Sequence, residues 1–209
     1  MNQNIEYFRR KILEWSKENI YEFTWRTTKN LWHVMVAEIM LQRTRANVVE
    51  KEFIKFTKLY PTPESYLNVE NPNTFKNLGL PEREKIIEQI AWTLQKKKIL
   101  NEKAHFLEIK GVGNYTAAAI RSMHLNMRDT IIDGNVIRVY TRFFGFEKSS
   151  RLYTDKGFFN FAEQITPKKN FRRYNFALLD FGREVCSPVP KCLNCPLRRK
   201  CYYYQRNFL

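Results

Sequence analysis

Three features of the sequence have residue types and spacing that could do chemistry: a glycine pair, two isolated carboxylates and a cysteine array. The glycine pair lies in IKGVGNYTAAAI, residues 109–120. Two glycines in a tight turn could cradle the phosphates of a nucleotide, turn a structural corner, or bind the backbone of DNA. A dinucleotide site needs three glycines after a strand. Because only Gly111 and Gly113 are present, after a segment typical of a helix, the dinucleotide site is excluded.

The pattern around these glycines predicts a helix, a tight hairpin and a second helix that begins at Asn114. Such a hairpin leaves backbone N–H groups at a helix N-terminus without partners, and these groups favour a phosphate. Lys110 adds positive charge beside them. A plain corner between two helices explains the same stretch when it is taken alone.

Two carboxylates lie where a structural explanation competes with a chemical one. Glu38 interrupts the apolar segment VMVAEIML, and a buried carboxylate is costly unless it is paired or used. It could be a satisfied structural carboxylate. Asp133 follows TII and precedes a predicted helix, so it could be only the cap of that helix. The residues by themselves leave both alternatives open.

All four cysteines form a C-x5-C-x2-C-x5-C array, at Cys186, Cys192, Cys195 and Cys201. Two disulfides would suit a secreted chain, but the charged N-terminus is not typical of a signal peptide. Zinc usually binds two close pairs, whereas only the middle two cysteines form such a pair. Four thiolates crowded together suit a [4Fe–4S] cluster better.

The charge balance predicts a polyanionic partner. The chain of 209 residues has 36 Lys and Arg against 21 Asp and Glu, a formal net charge of +15. Nucleic acid is the commonest partner of so basic a protein, and a generally lysine-rich proteome is the alternative. No apolar run approaches the roughly 20 residues that span a bilayer, so we expect no membrane partner and a cytoplasmic location.

The elements that position these residues are predicted to be helices, because 3.6-residue periodicity dominates and strand signals are scarce. We predict an all-α protein with short connections. Since no linker separates parts of the chain, any domain division must use non-contiguous segments. The predicted helices are 4–18, 30–43, 45–59, 62–68, 72–77, 82–98, 102–108, 114–125, 134–144, 154–165 and 170–185.

Three stretches resemble the endonuclease III and MutY superfamily of DNA glycosylases. Residues 107–146 are similar to its helix-hairpin-helix and following Asp, 25–44 to its N-terminal segment, and 174–201 to its last helix and iron–sulfur loop. The resemblance implies a two-lobed all-α helix-hairpin-helix glycosylase fold with a C-terminal [4Fe–4S] cluster on the four cysteines, although the first cysteine gap is one residue short. The implied domains are 22–134, and 1–21 together with 135–209.

The resemblance also implies catalytic roles. Breaking an N-glycosidic bond builds positive charge on the sugar and negative charge on the base, and the target nucleotide must first be flipped out of the duplex. The family's essential Asp corresponds to Asp133 and its pocket Glu to Glu38. At Tyr115 bifunctional members carry a lysine that attacks the sugar, and tyrosine cannot form a Schiff base. We therefore expect hydrolysis to an abasic site without efficient lyase activity.

Two branches of the family share these residues, one removing adenine and the other removing thymine opposite guanine. DGNV, with Asn135, resembles the adenine branch. Phe176 and Ala46 match the thymine branch, and the adenine branch carries a further C-terminal domain, whereas this chain ends eight residues after Cys201. An apolar Phe176 beside a small Ala46 could receive the thymine methyl by shape. Phe176 could equally be core.

The remaining implied contacts concern DNA. The wedge region, where a side chain enters the gap left by the flipped base, is Gln42 and Arg43, and Arg43 could stack on the widowed guanine or bind a phosphate. We expect a monomer bound to double-stranded DNA with a mismatched or damaged base. The base pocket and wedge would comprise Trp25, Arg26, Gln42, Arg43, Ala46, Asn135 and Phe176. The DNA backbone would contact Lys110, Gly111, Val112, Gly113, Asn114 and Thr116.

The predicted function is a monofunctional glycosylase for thymine or uracil opposite guanine. An adenine glycosylase acting opposite guanine or 8-oxoguanine is the alternative. A glycosylase-lyase for oxidised pyrimidines is disfavoured by Tyr115. A non-catalytic DNA-binding module would suit the hairpin and the charge, but Glu38 and Asp133 argue against it.

Overall fold

The structure, a computed structural model, describes residues 2–96, 102–147 and 149–209. These residues form helices and turns without a β-strand, which confirms the predicted all-α class. No helix among them is long and apolar enough to cross a membrane. The α-helices are Asn2–Asn19 (α1), Leu31–Met40 (α2), Ala46–Leu59 (α3), Pro63–Leu67 (α4), Glu84–Lys96 (α5), Lys103–Leu107 (α6), Asn114–Ala119 (α7), Gly134–Phe144 (α8), Lys156–Ile165 (α9), Phe171–Glu184 (α10) and Tyr202–Phe208 (α11).

The chain forms two compact units. The terminal unit comprises Met1–Tyr21 and Asn126–Leu209, and the central unit is Glu22–Leu125. Sequence placed the second boundary at 134, but the structure places it before residue 126. The reason is that the segment before α8 bonds to the terminal unit: Thr130 Oγ1 donates to Thr166 Oγ1 at 2.9 Å, and Asn175 Nδ2 donates to the Asp129 carbonyl at 3.1 Å.

The central unit is built around α2. The helix begins where Asn30 Oδ1 accepts a hydrogen bond from the Trp32 backbone N–H at 3.0 Å. Trp32 is 2% exposed and packs edge-on against Tyr66, with ring centroids 5.6 Å apart. Its indole N–H donates to the Tyr60 carbonyl at 3.0 Å, so the polar atom of this buried ring is satisfied. Every residue from Val34 to Met40 is also buried, so packing fixes the helix that carries Glu38.

The terminal unit is built from α1, α8 and α10. Ile5, Phe8 and Ile12 recur at helical spacing on the buried face of α1, and the Phe8 ring lies 4.9 Å from that of Phe143 on α8. A Cβ at Gly182 would lie 2.8 Å from the Asn135 Cβ. Glycine therefore lets α10 approach the first turn of α8.

Two predicted helices differ from the structure. The prediction of a helix at 72–77 is wrong, because this region forms only a short 3-10 turn at Lys76–Leu78. The Phe75 backbone N–H donates to Glu84 Oε1 at 2.7 Å, so a tertiary bond replaces helical bonding. The helix predicted at 30–43 ends at Met40, because the chain turns at Arg43 with a positive φ of 65°.

Two further differences concern the type of one helix and an additional helix. The helix predicted at 114–125 is α7 followed by a π-helical turn, Ile120–His124. Helix α11 was not predicted, and its Tyr202 ring packs closely against Gly145 at the end of α8. Residues 97 and 98 of the helix predicted at 82–98 lie outside the described residues.

Candidate functional site

The hairpin between α6 and α7 confirms the predicted helix-hairpin-helix. Gly111 has a φ of 87°, in the left-handed region that favours glycine. A Cβ at this position would lie 2.7 Å from the Cδ1 atom of Ile86. The Val112 backbone N–H donates to the Ile109 carbonyl at 3.0 Å and tightens the turn. Both conformation and space therefore require glycine at 111.

The predicted DNA-backbone residues divide into exposed and buried ones. Lys110, Gly111, Gly113 and Asn114 are exposed, and Gly113, which precedes α7, has no side chain that could cap the helix. Val112 and Thr116 are only 6% and 3% exposed. Their side chains belong to the interior of the central unit, which leaves their main chain for any contact with DNA.

The predicted wedge region contacts the hairpin. Gln42 Nε2 donates to the Gly111 carbonyl at 3.1 Å and lies 3.4 Å from Thr116 Oγ1. Arg43 is exposed and has the left-handed backbone that is uncommon for a side chain other than glycine. Ala46 begins α3 and packs, half-buried, against the core of the central unit. Gln42 is thus hydrogen-bonded to the turn that contains Gly111.

Glu38 is a buried carboxylate whose two oxygens have different surroundings. The residue is 3% exposed on α2. Its Oε1 lies 3.7 Å from Nε2 of His124, whose side chain is 2% exposed. Its Oε2 is buried and has no hydrogen-bond partner in the described part of the chain. A buried polar atom without a partner is costly and rare, so this oxygen is suited to accept a hydrogen bond from a ligand.

Trp25 and Arg26 precede α2 and are both buried, at 3% and 8% exposure. Trp25 stacks on Phe23 with ring centroids 4.4 Å apart and meets the edge of Phe53 at 6.0 Å. The Arg26 guanidinium lies 5.3 Å from the centre of the Phe23 ring. The structure gives Trp25 a packing role, and the place of both residues in a base pocket stays a prediction.

Asp133 caps helix α8 in the terminal unit. Its Oδ1 accepts a hydrogen bond from the Val136 backbone N–H at 2.7 Å, and its Oδ2 accepts one from Asn135 Nδ2 at 2.8 Å. Burial raises the pKa of Asp133, and the two hydrogen bonds oppose that rise. The cap considered from the sequence is therefore present.

Arg138, which sequence reasoning missed, joins Asn135 to the cysteine loop. Its Nη2 donates to Asn135 Oδ1 at 2.8 Å and to the Gly182 carbonyl at 2.7 Å, and its Nε donates to the Cys186 carbonyl at 2.8 Å. The sequence signal that could have identified Arg138 is its spacing from Asn135, because residues three apart share a helix face. A chain of hydrogen bonds therefore runs from the loop to the Asp133 carboxylate.

The four cysteines are half-buried, and none forms a disulfide. Burial raises the pKa of the Cys195 thiol to about 12, and charges on Cys201, Cys186 and Cys192 act in the same direction. The four thiols are therefore close enough to influence one another electrostatically. Four cysteine thiolates are the donor set that iron–sulfur clusters use.

Arg142 of α8 lies against this loop. Its Nη1 is 3.6 Å from Cys186 Sγ and 2.6 Å from the Ser187 carbonyl, and its Nη2 donates to the Pro188 carbonyl at 3.0 Å. Over the residues that the structure describes, no three His, Cys, Asp or Glu side chains are placed to hold a metal ion. A [4Fe–4S] cluster needs a different arrangement, since each thiolate binds a separate iron. The donor chemistry and the adjacent guanidinium fit an anionic cluster of that kind.

Phe176 is 7% exposed on α10, and the guanidinium of Arg172 lies 5.9 Å from the centre of its ring. Its neighbours Ala177 and Leu178 are fully buried. The burial agrees with the core alternative, and a role beside a base stays a prediction. Tyr115, in the first turn of α7, is half-buried.

Comparison with known proteins places this geometry in a family. The thymine/uracil-DNA glycosylase of Methanothermobacter thermautotrophicus is 29% identical over 98% of this chain and 96% of its own length. An adenine DNA glycosylase of Buchnera aphidicola is 31% identical over 93% of this chain, which spans only 58% of that protein. The solved structure of a thermostable thymine-DNA glycosylase superposes with a TM-score of 0.89, at 28% identity and 98% coverage of both chains.

The family model described as the HhH-GPD superfamily base excision DNA repair protein matches residues 36–163. The matched segment includes Glu38, the hairpin at Gly111 and the cap at Asp133, whereas the four cysteines follow it. This match covers more than half of the sequence. The chain therefore belongs to the HhH-GPD superfamily of base excision DNA repair proteins.

Proposed function

We propose that the protein is a monofunctional DNA glycosylase that hydrolyses the N-glycosidic bond of thymine or uracil opposite guanine and leaves an abasic site. The observation that carries the proposal is the buried Oε2 of Glu38, which lacks a hydrogen-bond partner among the residues described. Thymine and uracil both present an N3–H donor once they leave the duplex. A buried acceptor of this kind is suited to hold such a base.

In the proposed reaction each carboxylate acts on one side of the bond that breaks. Asp133 stabilises the positive charge that develops on the sugar, and Asn135 orients its carboxylate through the bond to Oδ2. Glu38 hydrogen-bonds the base. Tyr115 offers no amine for a Schiff base, so water attacks the sugar and the strand stays intact.

Support for a pyrimidine comes from similarity and from side-chain chemistry. The thymine/uracil-DNA glycosylase and the thymine-DNA glycosylase structure are similar to this chain over almost their entire length. Phe176 and Ala46 are apolar, and an apolar contact suits the methyl group of thymine. Adenine is the second candidate, because adenine glycosylases are also among the relatives.

We also propose that Cys186, Cys192, Cys195 and Cys201 hold a [4Fe–4S] cluster. Its contribution would be structural: it would order the basic loop that carries Lys191 and the run Arg198–Lys200 for contact with phosphates. The partner would be double-stranded DNA with a mismatched or damaged base, bound by a monomer. Lys110, Gly111, Gly113 and Asn114 would contact the DNA backbone through the hairpin, joined by the main chain of Val112 and Thr116.

The test uses end-labelled duplexes that contain G:T, G:U, G:A or 8-oxoguanine:A, each with and without alkali. We expect breaks at thymine and uracil that appear only after alkali. Breaks at adenine would assign the protein to the adenine alternative, and breaks without alkali would make it a lyase. Tight binding without any break, unchanged by Asp133→Asn, would indicate a non-catalytic binding module.

A further inference from the structure

A histidine with a buried side chain, in the turn that follows α7, is not used by the proposed reaction. His124 closes the π-helical turn Ile120–His124, which is widened by a hydrogen bond from the Leu125 backbone N–H to the Ile120 carbonyl at 3.0 Å. The His124 side chain is only 2% exposed. Such widened turns occur frequently at functional sites.

The imidazole is next to one oxygen of Glu38. Nε2 lies 3.7 Å from Oε1, which is beyond hydrogen-bonding distance but close enough for a small movement to form a bond. Both side chains are buried. A buried carboxylate without a partner is costly, and a nearby proton donor reduces that cost. Contacts of catalytic groups are often long in ligand-free structures and tighten when substrate binds.

The two oxygens of Glu38 therefore have different surroundings. Oε1 has the imidazole beside it, whereas Oε2 has no hydrogen-bond partner in the described residues. We infer that His124 is a positioning residue of the base pocket: its imidazole holds Oε1 of Glu38, so that Oε2 is presented as the acceptor for the N3–H of the flipped pyrimidine. This inference rests on the proposed function of Glu38.

A positioning role has a consequence that a packing role does not have. If His124 acts through Glu38, its removal matters only while the Glu38 carboxylate is there to be held. A misplaced catalytic group can cost about a hundredfold in rate. We therefore expect His124→Ala to slow single-turnover excision by about tenfold to a hundredfold in the native background, and to have no further effect in a Glu38→Gln background.

The experiment is a double-mutant cycle of His124→Ala and Glu38→Gln on a G:U duplex. Its second measurement is the Kd for a duplex that carries 2′-fluoro-deoxyuridine opposite guanine, which resists hydrolysis and reports base binding even where excision is too slow to follow. His124→Gln, which keeps an N–H donor, should recover part of the rate and of the affinity. The matched control is Met123→Ala, which removes a buried side chain from the same turn.

Independent effects of the two substitutions, in rate and in Kd, would overturn the inference. The inference would also be overturned if Met123→Ala slowed excision in the native background and had no further effect in the Glu38→Gln background. That result would assign the coupling to general packing of the turn. A wild-type protein that excises uracil while the cycle is additive contradicts the role of His124 alone. A wild-type protein that excises no base contradicts the proposed function as well.

Discussion

At the level of single residues, two effects act on the pKa of Asp133 in opposite directions. Burial raises its pKa and favours the neutral acid, whereas the bonds from Val136 and Asn135 favour the carboxylate. A group whose pKa is raised in the folded state stabilises the fold at low pH, and that contribution is lost as the pH rises through the folded-state pKa. Ionisation of Asp133 therefore lowers the free energy of unfolding as the pH rises through its raised pKa.

Replacing this carboxylate should separate catalysis from capping. In Asp133→Asn the side-chain oxygen can still cap α8, since Asn is as good a cap as Asp, and no charge is buried. The NH2 group that replaces Oδ2 no longer accepts the bond from Asn135 Nδ2. We expect a folded protein with a loss of about a hundredfold to a thousandfold in single-turnover excision. Full activity in this variant would show that Asp133 only caps the helix.

The same pKa predicts the pH dependence of the reaction. Excision needs the ionised Asp133, so the rate should fall on the acid side at a higher pH than for an ordinary aspartate. In Asn135→Ala the hydrogen bond that lowers this pKa is gone, and the acid limb should move to still higher pH. A pH–rate profile of both proteins tests this, and an acid limb that moves to lower pH would contradict it.

Tyr115 should decide whether the strand is cut. A lysine at this position supplies the amine that a Schiff base requires. We expect Tyr115→Lys to yield a protein–DNA complex that borohydride traps, whereas the wild type yields none. Tyr115→Phe, which lacks both the amine and the hydroxyl, is the control for altered packing. Efficient trapping of the wild type would place the nucleophile elsewhere.

At the level of elements, the two glycines of the hairpin differ in whether their backbone conformation and surroundings would accept a Cβ. Gly111 has a φ of 87° and would set a Cβ against Ile86, whereas a Cβ at Gly113 would meet nothing within 4 Å. Gly111→Ala should therefore lower the free energy of unfolding by about 1–2 kcal/mol and weaken duplex binding. Gly113→Ala should do much less. Equal changes in Tm and Kd for the two variants would contradict a specific role of the turn at Gly111.

Local signals in the sequence predicted most elements, and tertiary contacts account for the rest. Periodicity gave the long helices, and the glycine spacing gave the hairpin that Gln42 now contacts. The segment 72–77 failed because its backbone bonds to Glu84 on another element, and α11 was missed because its Tyr202 is ordered against Gly145.

The candidate site follows the same division. Glu38 and Asp133 were identified as candidates, since an acidic residue within an apolar run and one before a helix are visible along the chain. The cap at Asp133 was one of the alternatives that the sequence left open. The contacts of His124 with Glu38 and of Arg138 with Cys186 join residues that are far apart in sequence. No periodicity signals such pairs, and the π-helical turn that places His124 departs from the 3.6-residue repeat.

At the level of the whole molecule, the net charge of +15 predicts binding that depends strongly on salt. Each phosphate contact releases counterions, so six to ten contacts would reduce affinity by about a thousandfold to a hundred-thousandfold between 50 and 200 mM salt. Lys110→Ala should reduce the slope of log K against log salt by about one. Lys55→Ala removes the same charge from a lysine paired with Glu52 and should leave the slope unchanged. Identical slopes for Lys110→Ala and wild type would remove Lys110 from the interface.

The most direct test of the central claim is to identify the product base by mass spectrometry after incubation with a G:T duplex, while the labelled strand is followed without alkali. We predict free thymine in amounts equal to the abasic sites formed and an intact strand. With Asp133→Asn both thymine and abasic sites should form about a hundredfold to a thousandfold more slowly. Release of adenine from a G:A duplex with none of thymine, or a strand broken without alkali, would contradict the account.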